Sequence, residues 1–214
     1  MFHDVEQNTD EWLALRVGKM TGSAFSKIMA NYGKAFGEPA KKYAVSIAIE
    51  QITGNGVSSG YSNEHMERGH EQEPLARMAY EQQMFCDVGN GGFFEFGDIG
   101  CSPDGLVGDN GLIEIKSVLP STHYDVIRKQ AFDPKYKWQL SSNLKITDRE
   151  WVDFISFCPE FPEGKQLFIH RCYAEDFKEE YQMIDSRVAL FRGLIEKTKI
   201  DILRNEYFVG EVVK

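Results

Sequence analysis

The sequence has few cysteines, and none of them has the spacing of a metal site. Cys86, Cys101, Cys158 and Cys172 lie far apart without a C-x-x-C pair, which excludes the usual zinc and iron–sulfur patterns. A disulfide framework is not expected in a cytosolic chain of this size. Because free cysteine is among the most buried residue types, we expect four reduced, buried, structural thiols.

The sequence also lacks a long apolar run. No stretch approaches the roughly 18 apolar residues that a membrane-spanning helix needs, and the first residues show no basic segment followed by an apolar one. No internal repeat, low-complexity segment or linker interrupts the 214 residues. We therefore predict a soluble, cytoplasmic protein with one domain over residues 1–214 and no membrane partner.

Positive charge is not in excess, since 24 Lys and Arg residues face 33 Asp and Glu residues. The formal net charge of −9 argues against a protein that coats nucleic acid or anionic membrane over its whole surface. The distribution is uneven, however. Residues 61–115 carry 2 basic and 11 acidic side chains, whereas residues 16–42 carry 6 basic side chains and only Glu38 as an acid. This distribution is compatible with a protein that binds DNA through one basic region and has an otherwise acidic surface.

Capping residues and apolar periodicity predict helices at both ends of the chain and strands between them. The order is helices, a strand cluster, a helix, strands and a helix, which indicates an α/β fold with a mixed central β-sheet flanked by helices. Predicted helices run from Thr9 to Arg16, from a cap at Thr21 or Ser23 to Met29, from Glu38 to Gly54, around Glu73–Tyr80 with Pro74 as a start or kink, from Asp133 past Leu140, and from Phe177 to Ile195; predicted strands begin at Phe85 and include Leu112–Val118, Trp151–Phe157 and Leu167–Tyr173.

One pair of segments carries chemistry. Asp104 lies in a tight turn between predicted strands, and Glu114-Ile115-Lys116 follows after nine residues. Alternation along a strand puts Glu114 and Lys116 on the same face, and a hairpin return would bring Asp104 beside them. Two converging carboxylates need protonation or a cation, and hard oxygen ligands select Mg²⁺ or Mn²⁺. An exposed strand with an ordinary Glu/Lys pair and an Asx turn is the alternative.

The spacing of Asp104, Glu114 and Lys116 resembles the PD-(D/E)xK nuclease motif. Further blocks resemble, in order, the phage lambda exonuclease family of alkaline, double-strand-specific nucleases, over roughly Thr9 to Leu144. The resemblance implies a restriction-endonuclease-like fold in a phage or prophage exonuclease of a two-component recombination system. The matching blocks are Trp12–Gly18 with Met20–Ser23, Arg68-Gly69 with Glu73–Ala76, Cys101–Leu106 with Glu114–Lys116, and Tyr136 with Gln139.

The resemblance also implies a metal site. Asp104 and Glu114 bind catalytic Mg²⁺ together with the main-chain carbonyl of Ile115, and Glu73 contributes from its helix. Mn²⁺ is a plausible substitute for Mg²⁺, and Ca²⁺ is expected to bind without supporting turnover. A second ion about 3.5 to 4 Å from the first would stabilise both the attacking and the leaving oxygen.

Two further catalytic residues follow. Lys116 is expected to orient the attacking water and to offset charge on the phosphate. Gln139, a neutral amide, can position Lys116 or the water without competing for the metal. Without the resemblance, Gln139 reads equally well as a solvated helix-surface residue.

A separate site for the terminal 5′-phosphate is implied in the amino-terminal block. Arg16 offers a forked donor to phosphate, and Ser23 lies near the start of a predicted helix, where N–H groups favour anions. Lys34 adds charge, although the loop around it departs from the family pattern. Without the resemblance, Arg16 is an ordinary helix-end cation and Ser23 a plain N-cap.

The implied function is a Mg²⁺-dependent, processive 5′-to-3′ exonuclease on double-stranded DNA ends. It would release 5′-mononucleotides and leave a 3′ single strand for a cognate single-strand annealing protein in the cytoplasm of a bacterial host. A ring-shaped homotrimer is the implied assembly. A non-catalytic nucleic-acid-binding or assembly module, an endonuclease and a single-strand exonuclease are the alternatives. The five isolated histidines are expected in surface or capping positions.

Overall fold

The computed structural model describes residues 1–57 and 64–204, and these residues form two four-stranded sheets with helices packed on them. Three short 3-10 helices, at Gly22–Ala24, Pro134–Tyr136 and Ala174–Phe177, join longer elements. The strands are β1 (Phe2–His3), β2 (Met20–Thr21), β3 (Phe93–Phe96), β4 (Ile99–Cys101), β5 (Gly105–Val107), β6 (Gly111–Ser117), β7 (Trp151–Phe157) and β8 (Leu167–Tyr173); the helices are α1 (Asp10–Arg16), α2 (Phe25–Met29), α3 (Glu38–Thr53), α4 (Glu64–Met84), α5 (Pro120–Lys129), α6 (Lys137–Thr147) and α7 (Lys178–Leu203).

Both sheets are mixed, with the strand orders β1-β3-β4-β2 and β5-β6-β7-β8. The β6 and β7 strands pair in parallel, and their neighbours pair antiparallel. The predicted mixed α/β architecture is confirmed, with two sheets where the sequence predicts one central sheet. The chain leaves β4 at Cys101 and enters β5 at Gly105 through a bend that contains Pro103. Because proline has no N–H to donate, it favours a break in pairing at this point.

The β6 strand is buried on both faces. Ile113 packs in a cluster with Tyr80 of α4, whereas Leu112 packs in a cluster with Leu140 of α6. Glu114 faces the same side as Leu112, as the predicted alternation requires. The two helices therefore cover opposite faces of the strand that carries the candidate catalytic residues.

The final helix is amphipathic, as its apolar spacing predicts. Ile184, Val188, Phe191 and Ile195 are buried on one face of α7, and they share a core cluster with Ile47 of α3. This packing brings the carboxyl-terminal helix against the amino-terminal third of the chain. The apolar face of α7 therefore belongs to the hydrophobic core, which is the role that its regular spacing favours.

Three local predictions need correction. The second predicted helix has no cap from Thr21 or Ser23; a 3-10 turn occupies Gly22–Ala24, and α2 follows with only five residues. Of the two roles predicted for Pro74, a helix start is wrong, because Pro74 lies inside α4. Phe85 does not begin a strand, because it lies just after α4 with a φ of 52° and is 95% exposed.

The cysteines and histidines also differ in part from expectation. All four cysteines are free thiols, but Cys86 is only half-buried. The prediction of a surface or capping position is wrong for His123, because its side chain is buried. Its ring nitrogens lie 2.8 Å from Ser156 Oγ and 3.0 Å from the Lys165 carbonyl oxygen. The side chains of His65 and His70 lie outside the described residues. No helix in the described ranges is long and apolar enough to cross a membrane.

Candidate active site

The β5–β6 hairpin brings Asp104 against the edge of β6. Its backbone N–H donates to the Ile113 carbonyl at 3.1 Å, and its Oδ2 accepts a hydrogen bond from the Ile115 N–H at 2.5 Å. Gly105 makes this turn possible, because a Cβ there would lie 2.3 Å from Val88 Cγ1. The carboxylate therefore lies beside Glu114 and Lys116, where the spacing of the motif predicts it.

Glu114 is the most buried acidic side chain of the site, with 1% of its surface exposed. Its Oε1 accepts hydrogen bonds from Lys116 Nζ and Gln139 Nε2, both at 2.5 Å. Its Oε2 accepts a hydrogen bond from Asn143 Nδ2 at 2.9 Å. Gln139 therefore binds the same carboxylate oxygen as Lys116. The sequence prediction missed Asn143, although its spacing of four from Gln139 places both amides on one helix face.

Glu73 approaches the site from α4, on the opposite face of the sheet. Burial raises the pKa of Glu73 to about 7, with a further contribution from the charge of Asp104. Lys116 and Arg77 act in the opposite direction. Glu73 and Asp104 share an open cleft of about 540 Å³ with the segment that precedes α1. The residues lining the cleft are Glu6, Gln7, Asn8, Glu73, Pro74, Arg77, Asn90 and Asp104.

The site contains more negative charge than its lysine neutralises. Burial raises the pKa of Glu114 to about 8, and the charge of Asp104 raises it further. Burial lowers the pKa of Lys116, but Glu114 and Asp104 outweigh that effect and raise it overall. Lys116 is therefore an ammonium ion at neutral pH. It can stabilise and orient anionic groups, but it is not free to act as a base.

The donors at the site fit a hard divalent cation. The carboxylates of Asp104 and Glu114 and the carbonyl of Ile115 are oxygen ligands of the kind that Mg²⁺ binds. Their crowding is unfavourable without a further cation, as the raised pKa values of Glu73 and Glu114 show. In residues 1–57 and 64–204, no group of three or more His, Cys, Asp or Glu side chains is placed to hold a metal ion. The donor set combines two carboxylates with a main-chain oxygen.

The amino-terminal block touches the Asp104 turn through an aromatic side chain. Trp12 Nε1 donates to Ser102 Oγ at 2.8 Å, and the Arg16 guanidinium lies 4.0 Å from the centre of the Trp12 ring. Burial lowers the pKa of Arg16, with Tyr43 as the first of the groups that act against it. The Arg16 guanidinium makes no hydrogen bond or ion pair with any described residue. Its donors therefore remain available for an anionic ligand near the turn.

The other two predicted phosphate ligands lie on the surface. Ser23 is exposed in the 3-10 turn, and the Lys34 side chain is exposed in the loop after α2. The Lys34 carbonyl accepts a hydrogen bond from Arg187 Nη1 at 2.8 Å, and the same guanidinium binds the Ile28 and Ala30 carbonyls at 3.0 Å. Within the described ranges, no hydrogen bond or ion pair joins Arg16 to Ser23 or Lys34. Sequence reasoning missed Arg187 because its partners lie more than 150 positions away.

Comparison with known proteins identifies the family and the fold. The profile of the YqaJ-like viral recombinase domain matches residues 11–150. The alkaline exonuclease LHK-Exo from Laribacter hongkongensis is 30% identical, with a TM-score of 0.77 over 92% of this chain and 100% of that chain. Its complex with dAMP is 31% identical, with a TM-score of 0.78 and the same coverage.

A phage related exonuclease from Haemophilus somnus 129PT shares the fold, with a TM-score of 0.71 at 14% identity over 86% of this chain and 96% of that chain. A search of curated proteins finds no match.

Proposed function

The chain belongs to the family of YqaJ-like viral recombinases and alkaline exonucleases, and from this premise we propose that it is a Mg²⁺-dependent, processive 5′-to-3′ exonuclease acting on double-stranded DNA ends. Membership of the family makes it an enzyme, a nuclease that hydrolyses phosphodiester bonds. The observation that carries the finer proposal is the convergence of Asp104, Glu114 and Lys116 beside an open cleft. An inert module would have no need of this crowded and electrostatically unfavourable cluster.

The proposed reaction is attack of water on a phosphorus atom, in line with the departing 3′-oxygen of the terminal nucleotide. Mg²⁺ held by Asp104, Glu114 and the Ile115 carbonyl would supply a Lewis acid for the scissile phosphate, with Mn²⁺ as a plausible substitute. Ca²⁺ is expected to bind without turnover. Lys116, as an ammonium ion, offsets the charge that develops on the phosphate oxygens. The phosphate remains on the shortened strand, and the released nucleotide carries its own 5′-phosphate.

Gln139 and Glu73 support this reaction from opposite faces of the sheet. Gln139 holds the Glu114 oxygen that also binds Lys116, so it fixes the distance between the acid and the ammonium group. Glu73 adds a third carboxylate at the cleft and is available to a second ion. The raised pKa values of Glu73 and Glu114 favour activity at alkaline pH, because both carboxylates bind a cation only when ionised. The relative LHK-Exo is an alkaline exonuclease, which supports the same expectation.

The terminal 5′-phosphate is proposed to bind beside the Asp104 turn. Arg16, stacked on Trp12, presents its guanidinium edge without a carboxylate partner in the described structure. Ser23 and Lys34 supply a hydroxyl and a positive charge from the neighbouring surface. The dAMP complex of LHK-Exo shows that this relative binds a nucleoside monophosphate, which supports a phosphate site of this kind.

A ring-shaped homotrimer is the proposed assembly. A compact chain of 214 residues has a radius of gyration of about 17 Å, which is too small to surround a duplex. Closed cyclic symmetry can enclose the DNA and make digestion processive. Leu75, Met78 and Phe85 are exposed and offer apolar surface for subunit contact. The 3′ single strand is proposed to pass to a cognate annealing protein in the cytoplasm of a bacterial host.

The test compares four DNA substrates with the purified protein. Linear duplex with 5′-phosphate ends, linear duplex with 5′-hydroxyl ends, closed circular duplex and linear single-stranded DNA are incubated with Mg²⁺, with Ca²⁺ or with EDTA. We expect mononucleotides from the phosphorylated linear duplex with Mg²⁺, slower release from the hydroxyl ends, and an intact circle. Labels at the 5′ and 3′ ends report the direction of digestion.

Three outcomes would contradict the proposal. Cutting of the closed circle would indicate an endonuclease, and equal digestion of single-stranded DNA would indicate a single-strand exonuclease. If no nucleotides are released in any of the metal conditions, the protein is a non-catalytic module. Light scattering of the protein with and without duplex measures the subunit number separately.

A further inference from the structure

We propose that Asn143 is a positioning residue that presents Glu114 to the metal ion, and that Gly22 is glycine because Asn143 occupies the space of its side chain. The inference rests on the proposed metal-dependent function and assigns two residues that the motif does not contain. It concerns the carboxylate oxygen that Lys116 and Gln139 leave free.

The hydrogen bonds of Glu114 are divided unevenly between its oxygens. Oε1 accepts from both Lys116 and Gln139, so both of its lone-pair directions are occupied. Oε2 accepts only from Asn143, at 2.9 Å, so it retains one lone pair. A cation can therefore bind Oε2 without displacing Lys116 or Gln139. Asn143 is the group that fixes the direction of this oxygen.

Asn143 is committed to this contact. It is 1% exposed, and within the described ranges its side chain makes one hydrogen bond, to Glu114. The amide must present its N–H to the ionised carboxylate, because its oxygen would repel it. An aspartate at this position would add a fourth carboxylate to an already negative site. A neutral donor therefore orients Glu114 without competing for the cation.

The opposite side of the Asn143 amide explains Gly22. A Cβ built on Gly22 would lie 2.4 Å from Asn143 Oδ1 and 3.2 Å from Cys101 Cβ. The clash is with a buried side chain that its hydrogen bond already holds, so alanine at position 22 would push the amide away from Glu114. The 3-10 turn that carries Gly22 also carries Ser23. The proposed end-binding block and the metal ligand are thus joined by two contacts, Gly22 to Asn143 and Asn143 to Glu114.

The expected consequence is a loss of metal affinity. Removal of a residue that orients a ligand typically weakens metal binding or activity by about 10- to 100-fold. Asn143→Leu keeps a side chain branched at Cγ and removes the donor. Gly22→Ala replaces no polar residue and displaces the Asn143 amide by contact alone. Both changes should act on Glu114 and leave the binding of DNA in EDTA unchanged.

The experiment measures Ca²⁺ binding by calorimetry, so that its readout does not depend on turnover. We expect Asn143→Leu to bind Ca²⁺ about 10- to 100-fold more weakly than the wild type, and Gly22→Ala to shift in the same direction by a smaller factor. In parallel, the Mg²⁺ concentration that gives half-maximal turnover should rise, whereas KM for DNA ends should not. Gly193→Ala is the matched control, because a Cβ there meets no atom within 4 Å.

Three outcomes decide the inference. Wild-type affinity for Ca²⁺ in a folded Asn143→Leu protein would overturn it, since a purely structural role lowers thermal stability without weakening Ca²⁺ binding. If Asn143→Leu does not fold, weaker Ca²⁺ binding by Gly22→Ala supports the inference and unchanged binding overturns it. A wild-type protein that binds no divalent cation would overturn the proposed function itself, which separates that failure from the failure of this inference.

Discussion

Two buried carboxylates lie on neighbouring strands of one sheet, and the chain surrounds them differently. Asp153 on β7 is fully buried and accepts two hydrogen bonds from Arg171, at 2.8 and 2.7 Å, and one from Tyr80 at 2.7 Å. Glu114 on β6 receives one ammonium group and two neutral amides, and it shares that ammonium group with Asp104. The first carboxylate has a guanidinium of its own, and the second does not.

The difference distinguishes a structural cluster at Asp153 from the proposed metal site at Glu114. The Arg171 guanidinium lies 3.6 Å from the centre of the Trp151 ring, so its position is set by packing as well as by charge. The Tyr80 hydroxyl joins α4 to the sheet and leaves Asp153 without need of a ligand. Glu114 and its neighbours retain excess negative charge that a divalent cation would neutralise. Burial alone does not identify a functional acid; incomplete neutralisation does.

The largest expected effect comes from removing Lys116, the ammonium group that binds Glu114. Lys116→Ala should reduce turnover by at least about 10²- to 10³-fold, because it removes the charge that is proposed to stabilise the reacting phosphate. Binding of Ca²⁺ and of DNA should persist. Nucleotide release from labelled duplex measures the loss. Lys199→Ala, which removes a surface lysine paired with Glu196, is the control and should leave turnover unchanged. Near-normal rates for Lys116→Ala would refute its assigned role.

The next largest effect is a loss of stability on removal of Arg171, the partner of Asp153. Arg171→Met should lower the free energy of unfolding by about 3 kcal/mol, because it leaves the buried Asp153 carboxylate without its counter-charge. Turnover per folded molecule should not change. Arg192→Met is the matched control, since Arg192 also binds an aspartate through two nitrogens, at 2.7 and 2.6 Å, but on the surface.

Urea unfolding compares the two arginine variants. The surface pair should be worth no more than about 1 kcal/mol. Equal losses in Arg171→Met and Arg192→Met would contradict the distinction between a buried and an exposed pair. A specific loss of turnover in Arg171→Met, at a concentration of urea where it is fully folded, would place Asp153 in the active site.

A smaller effect is expected at Arg16, a cation that no described carboxylate neutralises. Arg16 is the reverse of Arg171, because no described acid pairs with it. Arg16→Ala should reduce the rate advantage of 5′-phosphate over 5′-hydroxyl ends by about tenfold, which corresponds to one charge-assisted hydrogen bond. Initial rates on the two kinds of end measure it. Arg128→Ala, on the surface of α5, should slow both ends alike or neither. An unchanged end preference in Arg16→Ala would remove it from the phosphate site.

The last prediction concerns the pH dependence of stability without metal. The pKa values of Glu73 and Glu114 are raised from 4.5 to about 7 and about 8, so the folded protein holds protons that the unfolded chain releases. Stability should therefore fall as pH rises from about 4.5 to about 8, and level off above that range. Burial lowers the pKa of His123, which acts in the opposite sense below its ordinary 6.5. The difference between wild type and Glu114→Gln isolates the carboxylate.

Thermal unfolding in EDTA across this pH range measures the slope. Glu114→Gln should flatten it, and Ca²⁺ should remove most of it in the wild type, because a bound cation replaces the protons. Identical slopes in the wild type and Glu114→Gln would show that Glu114 is already neutralised, as Asp153 is. That result would end the contrast between the two carboxylates.

Local patterns in the sequence were sufficient for much of the fold. The alternation of Ile113 and Ile115 with Glu114 and Lys116 predicts the two faces of β6, and the apolar spacing of the last helix predicts its buried stripe. The turn at Asp104 predicts the return that places its carboxylate beside β6. These features depend on neighbours within about a dozen residues. Sequence periodicity reports such contacts directly.

The features that sequence reasoning missed depend on distant partners. Asn143 binds an acid 29 positions earlier, and the buried His123 meets residues 33 and 42 positions away. The only local signal for Asn143 is its spacing of four from Gln139, and nothing in the neighbouring sequence distinguishes His123 from a surface histidine. The division into two sheets has the same origin, because Pro103 marks a break without indicating which strands pair on each side. Long-range packing decided these points.

The hydrogen bonds from Arg187 to the end of α2 and the loop after it can form only late in protein synthesis. The guanidinium binds the carbonyl of Ile28 in α2 and the carbonyls of Ala30 and Lys34 in the loop, and the last of these to be translated, Lys34, precedes Arg187 by 153 residues. At about 5–20 residues per second, the ribosome needs about 8 to 30 seconds to cover that distance. Until then the loop lacks the group that shapes it. A nascent chain therefore completes this surface late, after the sheets of the nuclease have been translated.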